Sequence, residues 1–252
     1  MAKPIKKILS AMRKADLEYG LIQNNDKIAI GISGGKDSSL LLYLLHLYQY
    51  LAKNTFDKHF DIIGIHINLN FGEDDMAPLL DWFKTYDLKL YTEDSLIADI
   101  LKRNLNKGRI ECSLCSTLKK GAVIKAAKTL NCNKIAFGHH GDDAIETLFL
   151  NMIYGARVAT FDAKMHLKRE DVTFIRPLIY AFESDIKRAC EELDIPKIKS
   201  GCPNDGNSQR QAIKDLLHDI YHKYPMAKEN FLKALHNKEQ LSLLDFKIKK
   251  FD

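Results

Sequence analysis

The sequence predicts an α/β fold, in which a parallel β-sheet has helices on both faces and is followed by a C-terminal helical extension. Two features support this prediction. Short runs rich in β-branched residues alternate with segments of helical length from residue 27 to residue 193. From residue 207 onward the patterns are all helical. With 252 residues, 46% of them hydrophobic, the chain is long enough to bury a full core.

The predicted elements alternate along the chain. Strands are predicted at 27–32, 60–69, 88–93, 133–138 and 173–180. Helices are predicted at 38–51, 75–87, 95–105, 116–130, 142–155 and 183–193, with two more at 208–224 and 227–246. We therefore divide the chain into an N-terminal basic helical segment (1–24), an α/β domain (25–200) and a C-terminal loop and helical extension (201–252).

Composition excludes several classes of protein. The longest apolar run near the N-terminus, residues 39–51, is shorter than the roughly 20 residues of a membrane span. The N-terminal segment has no apolar block of the kind found in a secretory signal. Five cysteines are too few for a disulfide scaffold, and an odd number cannot pair completely within one chain. We therefore expect a cytoplasmic protein without a membrane partner, in which neighbouring cysteines bind a metal or act in catalysis.

Positive charge is concentrated at the two ends of the chain. The net charge is +5, but residues 1–14 carry five basic residues and no acidic ones. Residues 197–252 carry eleven basic and seven acidic residues, which leaves the middle of the chain at −4. The basic ends could bind a polyanion, although solvated helix faces would give the same pattern.

A Gly-rich loop, GISGGKDSS at 31–39, lies between the first predicted strand and the first long helix. Its glycines allow a close approach of the backbone to an anion, its serines offer hydroxyls, and the helix amides that follow favour negative charge. The spacing matches neither a Walker A loop nor G-x-G-x-x-G. The loop therefore predicts a phosphate site of another kind, at the sheet edge where open α/β folds bind ligands.

Three cysteines form a second candidate site. Cys112 and Cys115 have the C-x-x-C spacing at which two thiolates bind one metal centre, and Cys202 lies in a Gly/Pro/Asn loop that could reach it. Three cysteines suit a 4Fe–4S cluster with one iron left open. A zinc site completed by His139 or His140 and a redox-active cysteine pair are alternatives. The other cysteines are expected in the core: Cys132 and Cys190.

A third group of polar residues follows the predicted strand at 133–138, in the sequence GHHGDDAIET. Asp142 and Asp143 stand at the start of a helix, next to His139 and His140. One Asp would be enough to cap the helix. Two carboxylates and two histidines beside a phosphate site could also hold magnesium or move a proton.

These motifs, taken in order, resemble one known family. The order is SGGKDS at 33–38, C-x-x-C followed by Lys119, GHHGDD with TLFLNMIYG, IRPL, and Cys202 with Gln-Arg-Gln downstream. SGGxDS is similar to the motif of the PP-loop ATP pyrophosphatases. The whole set over residues 5–236 resembles their tRNA 2-thiocytidine synthetase (TtcA-like) tRNA thiolation branch. The resemblance implies a Rossmann-like sheet of the PP-loop, or adenine nucleotide alpha hydrolase-like, type.

The resemblance also implies an activity. Such an enzyme is an ATP-dependent tRNA sulfurtransferase, which adenylates a base carbonyl, here of an anticodon-loop cytidine, and replaces the oxygen with sulfur. The implied cofactors are a 4Fe–4S cluster and ATP with Mg²⁺. The implied partners are tRNA and a sulfur donor, either a cysteine desulfurase or free sulfide, and a homodimer is expected.

Site residues are carried over position by position. The implied cluster ligands are Cys112, Cys115 and Cys202. The implied catalytic residues are Lys119, Asp142 and Asp143. The implied ATP or pyrophosphate contacts are Gly31, Ser33, Gly34, Gly35, Lys36, Asp37, Ser38, His66 and Gly138.

The sequence departs from the family pattern at two places. Lys199 stands where relatives often carry the first cysteine of a second C-x-x-C, and ARVATF replaces a Gly- and Lys-rich loop after the NMIYG motif. Three alternatives stay open: thiolation of another base of the 2-thiouridine type, a lysidine synthetase-like ligase, and a zinc or iron–sulfur RNA-binding protein with a vestigial ATP loop. The three cysteines disfavour the ligase, and the intact SGGKDS loop disfavours the binding protein.

Overall fold

The computed structural model describes residues 2–72, 75–105, 110–198, 209–237 and 239. Its centre is a six-stranded sheet in the spatial order β3-β2-β1-β4-β6-β5. The strands are β1 (Asp26–Ile32), β2 (Phe60–Asn68), β3 (Leu90–Asp94), β4 (Lys134–Ala136), β5 (Lys164–Leu167) and β6 (Val172–Ile175). Neighbouring strands are parallel except for β5, which pairs antiparallel with β6 at the edge of the sheet.

Helices cover both faces of this sheet. They are α1 (Lys3–Tyr19), α2 (Lys36–Phe56), α3 (Ala77–Thr85), α4 (Ile97–Arg103), α5 (Cys112–Thr129), α6 (Gly141–Gly155), α7 (Glu183–Glu192), α8 (Gln209–Lys223) and α9 (Ala227–His236). One face packs against α1, α2, α3 and α7, and the other against α4 and α5. Helices α8 and α9 form a smaller core with α6. The predicted α/β class with C-terminal helices is confirmed.

Strand β1 shows why the sequence folds in this way. Ile28, Ile30 and Ile32 are buried in the core on one face, and Ala29 is buried on the other. A central strand of a parallel sheet is covered on both sides, so it reads as a continuous apolar run rather than an alternating one. That run is the feature from which this strand was predicted.

The order of the strands creates a crevice beside β1. The chain proceeds from β1 to β2 and β3 on one side, and then returns to place β4 on the other side of β1. The chain therefore leaves the carboxyl end of β1 toward one side of the sheet and the carboxyl end of β4 toward the other side. Open α/β sheets bind ligands at such a switch point, and both polar motifs, 33–38 and 138–143, lie there.

Several predicted boundaries are wrong. The helix predicted at 227–246 ends at His236, and the helix predicted at 38–51 continues to Phe56. The strand predicted at 173–180 ends at Ile175, because Arg176 to Ala181 form turns in which Ile179 donates to Arg176 O at 3.2 Å. The helix predicted to begin at residue 116 begins at Cys112, so its first turn contains both cysteines of the pair. The short edge strand β5 was not predicted, since its four residues, KMHL, lack any strand pattern.

The N-terminal helix is joined closely to the sheet domain. Ile5, Ile8 and Met12 of α1 are buried in the same core as α2 and α7. Asp16, which is buried, accepts hydrogen bonds from Ile22 N and the Tyr48 hydroxyl, both at 2.8 Å. The division at residues 24 and 200 stays a prediction. Among the described residues, no helix combines the length and the apolar composition that crossing a membrane requires.

Candidate active site

The loop after β1 is shaped by two glycines and two serines. Gly34 has a φ of +81°, a left-handed conformation that residues with a Cβ rarely adopt. The Ser38 hydroxyl lies 3.0 Å from Gly35 O, to which it donates, and it accepts from Ser33 N at 3.2 Å. These bonds fold the loop onto the first turn of α2, so the loop amides and the exposed Ser33 lie together at the carboxyl edge of the sheet. Such a cradle fits a phosphate group.

Gly138 lets the loop after β4 touch the phosphate loop. A Cβ at this position would lie 3.1 Å from both the carbonyl carbon of Asp37 and Ser38 N. Because those are backbone atoms, they cannot move aside as the end of a side chain can. Gly31 makes a similar but looser approach, with its Cβ position 3.4 Å from the ring of Phe137. The two predicted motifs are thus parts of one site.

His66 connects the neighbouring strand to the same place. It pairs with Ile32 in the β1–β2 register, at the carboxyl ends of both strands, and is buried. Its Nδ1 lies 3.0 Å from Ile32 O. A carbonyl oxygen only accepts, so Nδ1 is the donor in this contact. His66 therefore lies beside the residue that precedes the phosphate loop, and its contact with the nucleotide stays a prediction.

Asp142 and Asp143 have different surroundings. Asp142 is buried, accepts a hydrogen bond from Glu183 N at 2.8 Å and pairs with Lys228, so it joins α6 to α7 and α9. Asp143 accepts from His140 N at 2.9 Å with one carboxylate oxygen. Its other oxygen lies 3.6 Å from the guanidinium of Arg210. Both carboxylate oxygens of Asp142 are therefore engaged in contacts that hold helices together. Asp143 has one oxygen without a hydrogen-bond donor in the described part of the chain.

His139 lies between aromatic rings, with centroids 5.8 Å from Phe137 and 5.2 Å from Phe161. Its Nδ1 is buried without a hydrogen-bond partner among the described residues. Burial lowers the pKa of His139 to about 4, although the negative charge of Asp143 opposes the shift. The imidazole is therefore neutral at physiological pH, and it can donate and accept hydrogen bonds.

Carboxylates gather around the phosphate loop. Burial raises the pKa of Asp37, and the charges of Asp143 and Glu183 act in the same direction. Burial also raises the pKa of Glu146, with a further contribution from Asp143. Four acidic side chains in one region require compensating cations, and two of these come from α8, namely Arg210 and Lys214.

Sequence reasoning missed four of these residues. They are Glu146, Glu183, Arg210 and Lys214. The Gln-Arg-Gln triplet at 209–211 belongs to the family pattern, but its sequence does not indicate where Arg210 lies in the fold. Only the packing of α8 on α6 and beside α7 brings these side chains to the site.

The cysteine pair lies at the same edge of the sheet. Asn133, which follows α5, donates to Lys27 O at the amino end of β1, so the opposite end of α5 points toward the carboxyl edge. Cys112 is exposed and Cys115 is buried in the core that contains Ile65 and Ile67. Lys119 is exposed two turns after Cys112, on the same helical face. The first turn of α5 is also the positive end of the helix dipole, which favours anionic groups.

Part of the predicted metal site cannot be compared with the structure, because Cys202 lies outside the described residues. Within the described ranges, no three His, Cys, Asp or Glu side chains are close enough together to hold a metal ion. His139 and His140 therefore do not form such a group with Cys112 and Cys115, and the zinc alternative gains no support. Cys132 and Cys190 are buried in the hydrophobic cores, as predicted, and burial raises the pKa of Cys190 to about 12.

The fold and the site together define a class: a parallel α/β domain that presents a Ser-Gly-Gly-Lys-Asp-Ser loop to the phosphates of a nucleotide. The profile of the PP-loop domain family matches residues 2–218. Curated relatives with the name tRNA-cytidine(32) 2-sulfurtransferase are similar over almost the whole chain. That of Pelobacter propionicus is 32% identical over 95% of this chain and 88% of its own length. That of Colwellia psychrerythraea is 35% identical over 92% of this chain and 73% of its own.

The chain therefore belongs to the PP-loop family, in the branch of the tRNA-cytidine(32) 2-sulfurtransferases, as the sequence motifs predicted. Among solved structures, it is similar to the U34-tRNA thiolase of Methanococcus maripaludis with its [4Fe–4S] cluster. The TM-score is 0.71 and the identity 23%, with 95% of this chain and 80% of that chain covered. At this identity the likeness supports the fold alone.

Proposed function

We propose that this protein is an ATP-dependent tRNA sulfurtransferase that replaces the 2-oxygen of a cytidine, position 32 of the anticodon loop, with sulfur. The observation that carries the proposal is the joint position of two groups at one sheet edge. The phosphate loop 33–38 lies at the switch point, and the first turn of α5 presents Cys112 and Cys115 at the same edge. Nucleotide activation and thiolate chemistry in one site are what such a reaction needs.

ATP would bind with its phosphates on the loop after β1. Ser33, Gly34, Gly35 and Ser38 supply amides and hydroxyls, and Gly138 keeps the second loop close enough to enclose the nucleotide. Asp37, at the first turn of α2, is the carboxylate next to this cradle and would bind the Mg²⁺ that accompanies ATP. The carbonyl oxygen of the base attacks the α-phosphorus, and pyrophosphate leaves.

Adenylation solves a chemical problem. The carbonyl oxygen of a pyrimidine is a poor leaving group, whereas AMP is a good one. A sulfur nucleophile held close to the activated carbon can then displace AMP in an addition–elimination step. The enzyme must therefore hold the sulfur and the adenylated base side by side.

Cys112 and Cys115 are suited to hold a cluster. Their spacing places both sulfur atoms on one face of the first turn of α5, near amides that favour anionic ligands. With Cys202 as the third ligand, a bound 4Fe–4S cluster would supply an open iron at which sulfur stays deprotonated and close to the base. Three thiolate ligands suit this cluster better than a closed zinc site, which requires four.

Asp143 and Lys119 are our candidates for proton transfer and activation. Asp143 keeps one carboxylate oxygen directed toward Arg210 at 3.6 Å rather than hydrogen-bonded to it, and so it can accept a proton or a metal ion. Asp142 is engaged by Glu183 N and Lys228, and its role is to fix the start of α6. Lys119 shares the helical face of the cysteines and would stabilise negative charge on the base or the sulfur.

The tRNA would be bound in part by the basic ends of the chain. Some of the cations of α1 are engaged within the protein: Lys7 pairs with Asp185 at 2.7 Å, and Lys14 lies over the ring of Tyr180. Lys3 and Lys6 are exposed on the same helix and would contact phosphates. A cysteine desulfurase or free sulfide as donor, a homodimer and a cytoplasmic location complete the proposal.

The decisive experiment measures thionucleosides and cluster formation together. A deletion strain should lack 2-thiocytidine in its tRNA by nucleoside mass spectrometry, and the plasmid-borne gene should restore it. Anaerobic reconstitution with iron and sulfide should give cluster absorbance in the wild-type protein, and the Cys112→Ala and Cys202→Ala variants should lose it. Cys132→Ala, a core cysteine outside the site, serves as the matched control and should keep it.

Each outcome distinguishes one alternative. Loss of a 2-thiouridine instead of 2-thiocytidine would show that the enzyme thiolates another base. An unchanged thionucleoside profile in the deletion strain would refute the proposed function. Cluster absorbance that survives Cys202→Ala would exclude the three-cysteine arrangement.

A further inference from the structure

Helix α8 carries two cations on the face that meets the site. Arg210 and Lys214 are four residues apart, so their side chains lie on the same side of the helix. Arg210 donates to Thr147 Oγ1 at 3.0 Å and lies 3.6 Å from both Asp143 and Glu146. Lys214 donates to Glu183 Oε1 at 2.7 Å. Helix α8 thus places positive charge beside the carboxylates that surround the phosphate loop.

The guanidinium of Arg210 is only partly used by these contacts. Charge-assisted hydrogen bonds between nitrogen and carboxylate oxygen are about 2.7–2.9 Å long, and the two contacts at 3.6 Å exceed that length. Arg210 has five N–H donors, and one of its nitrogens is hydrogen-bonded, to Thr147, among the described residues. With 43% of its side chain exposed, the residue can donate to a group that enters from solvent.

Lys214 can move away from Glu183 while Glu183 keeps a second cation. Glu183 Oε1 contacts Lys187 at 3.1 Å as well as Lys214 at 2.7 Å. Burial acts to raise the pKa of Glu183, but the hydrogen bonds from Lys214 and Lys187 lower it overall. If Lys214 turned toward another anion, Lys187 would still neutralise Glu183.

The position of Lys214 connects this pair to the phosphate loop. Lys214 contacts Glu183, whose backbone N donates to Asp142 at 2.8 Å. Asp142 lies in the first turn of α6, at the end of the loop after β4, which touches the phosphate loop at Gly138. On the other side, Asp143 contacts Arg210 directly. The carboxylates of Asp37, Asp143 and Glu183 would repel a triphosphate unless cations lay between them and the ligand.

We propose that Arg210 and Lys214 are phosphate-binding residues, which exchange their carboxylate contacts for the phosphates of ATP when the nucleotide and Mg²⁺ bind. Arg210 takes two phosphate oxygens with its planar donors, and Lys214 acts as a point charge toward the loop. The inference rests on the proposed function in requiring ATP as substrate. It assigns to the C-terminal helices a direct part in nucleotide binding, beyond packing on α6.

The test compares ATP with adenosine, which has the same base and sugar but no phosphate. Isothermal titration of the full-length protein with Mg²⁺ at fixed ionic strength gives the Kd of each ligand. Arg210→Gln and Lys214→Gln should each weaken ATP binding by about tenfold or more, the loss expected for one charge-assisted contact, and leave adenosine binding within about twofold. Arg210→Lys should lie between wild type and Arg210→Gln, since it keeps the charge but loses the paired donors.

Lys223→Gln is the matched control. Lys223 is exposed at the last residue of α8, about 13 Å along the helix from Lys214, and its loss removes the same charge from the same helix. It should leave both Kd values unchanged. An equal effect of Lys223→Gln on ATP binding would mean that net charge, rather than the two assigned residues, is responsible.

Three results would overturn the inference. They are wild-type ATP affinity in both Gln variants, an equal loss of ATP and adenosine binding, and a loss confined to variants whose thermal unfolding temperature has fallen. If Arg210→Gln does not fold, Arg210→Lys and Lys214→Gln decide the question. Wild-type protein that binds ATP but thiolates no tRNA would refute the proposed function while the ATP result stands.

Discussion

The two loops that meet at the switch point are built in different ways. The loop after β1 holds its shape by contacts within six residues, such as Ser33 to Ser38 and Ser38 to Gly35. The loop after β4 depends on distant helices, because Asp142 contacts α7 and α9 and Asp143 contacts α8. We therefore expect the first loop to act mainly through its backbone geometry, and the second mainly through titratable side chains whose surroundings are determined by packing.

Among the substitutions that test this contrast, Asp143→Asn should have the largest effect. The substitution removes the charge that the second loop directs into the site, while the amide oxygen can still accept from His140 N. We expect tRNA thiolation to fall by about 10²–10⁴-fold with the unfolding temperature little changed. Single-turnover thiolation assays and differential scanning calorimetry on the same preparation measure the two quantities.

Asp142→Asn provides the contrast, and the exposed Asp99→Asn of α4 provides the control. Asp142→Asn should cost about 1–3 kcal/mol of unfolding free energy, because Lys228 loses its buried anion. Its effect on the thiolation rate should be smaller than that of Asp143→Asn. The reverse order of the two rates would exchange the roles assigned to Asp142 and Asp143.

The next largest effect concerns the folding stability of the protein at acidic pH. His139 has a pKa of about 4 in the folded protein, whereas an unfolded His titrates near 6.5. The unfolded state therefore binds more protons between these values, and folding stability falls as the pH falls through that window, by about 3 kcal/mol in total. Urea unfolding at pH 7, 5 and 4 should show this loss.

His139→Gln removes the titrating group and should reduce the pH dependence across the same window. The variant is compared with His59→Gln, which alters an exposed histidine in the turn between α2 and β2. An undiminished pH dependence in His139→Gln would show that the acid sensitivity comes from the carboxylates of the site instead.

Gly138→Ala should have the smallest effect and tests whether the two loops must touch. Its Cβ would lie 3.1 Å from backbone atoms of Asp37 and Ser38, so the phosphate loop would have to shift by a few tenths of an ångström. We expect ATP affinity to fall by roughly tenfold, equivalent to about 1.4 kcal/mol. Equilibrium binding of ATP with Mg²⁺ is the measurement.

Gly121→Ala is the control for this substitution. Gly121 lies in the middle of α5, and a Cβ there would meet no atom within 4 Å. Since Ala favours helix more than Gly does, this variant should gain about 0.5–1 kcal/mol of stability and bind ATP normally. Wild-type ATP affinity in Gly138→Ala would mean that the loops can separate without loss.

The same contrast explains what the sequence could predict. Ser33 to Ser38 determine their own conformation through local bonds and glycine geometry, so the phosphate loop could be recognised from six letters. The alternation of short apolar runs, such as those of β1 and β2, with segments of helical length was sufficient to predict the parallel sheet. Glu146, Glu183, Arg210 and Lys214 could not be assigned, because their meeting depends on how α8 packs against α6, and no local pattern encodes that packing.

The pairing of β1 with β2 and β4 also has a consequence for how the chain folds. β1 pairs with β2 across a short stretch of sequence, but Ile28 pairs with Lys134 across about 100 residues. The phosphate loop belongs to the early, local half of the chain, and Gly138 and Asp143 reach it only after that long connection closes. We therefore expect the nucleotide site to be among the last parts to form, and ATP, which would contact both loops, to stabilise the assembled sheet rather than either half of it.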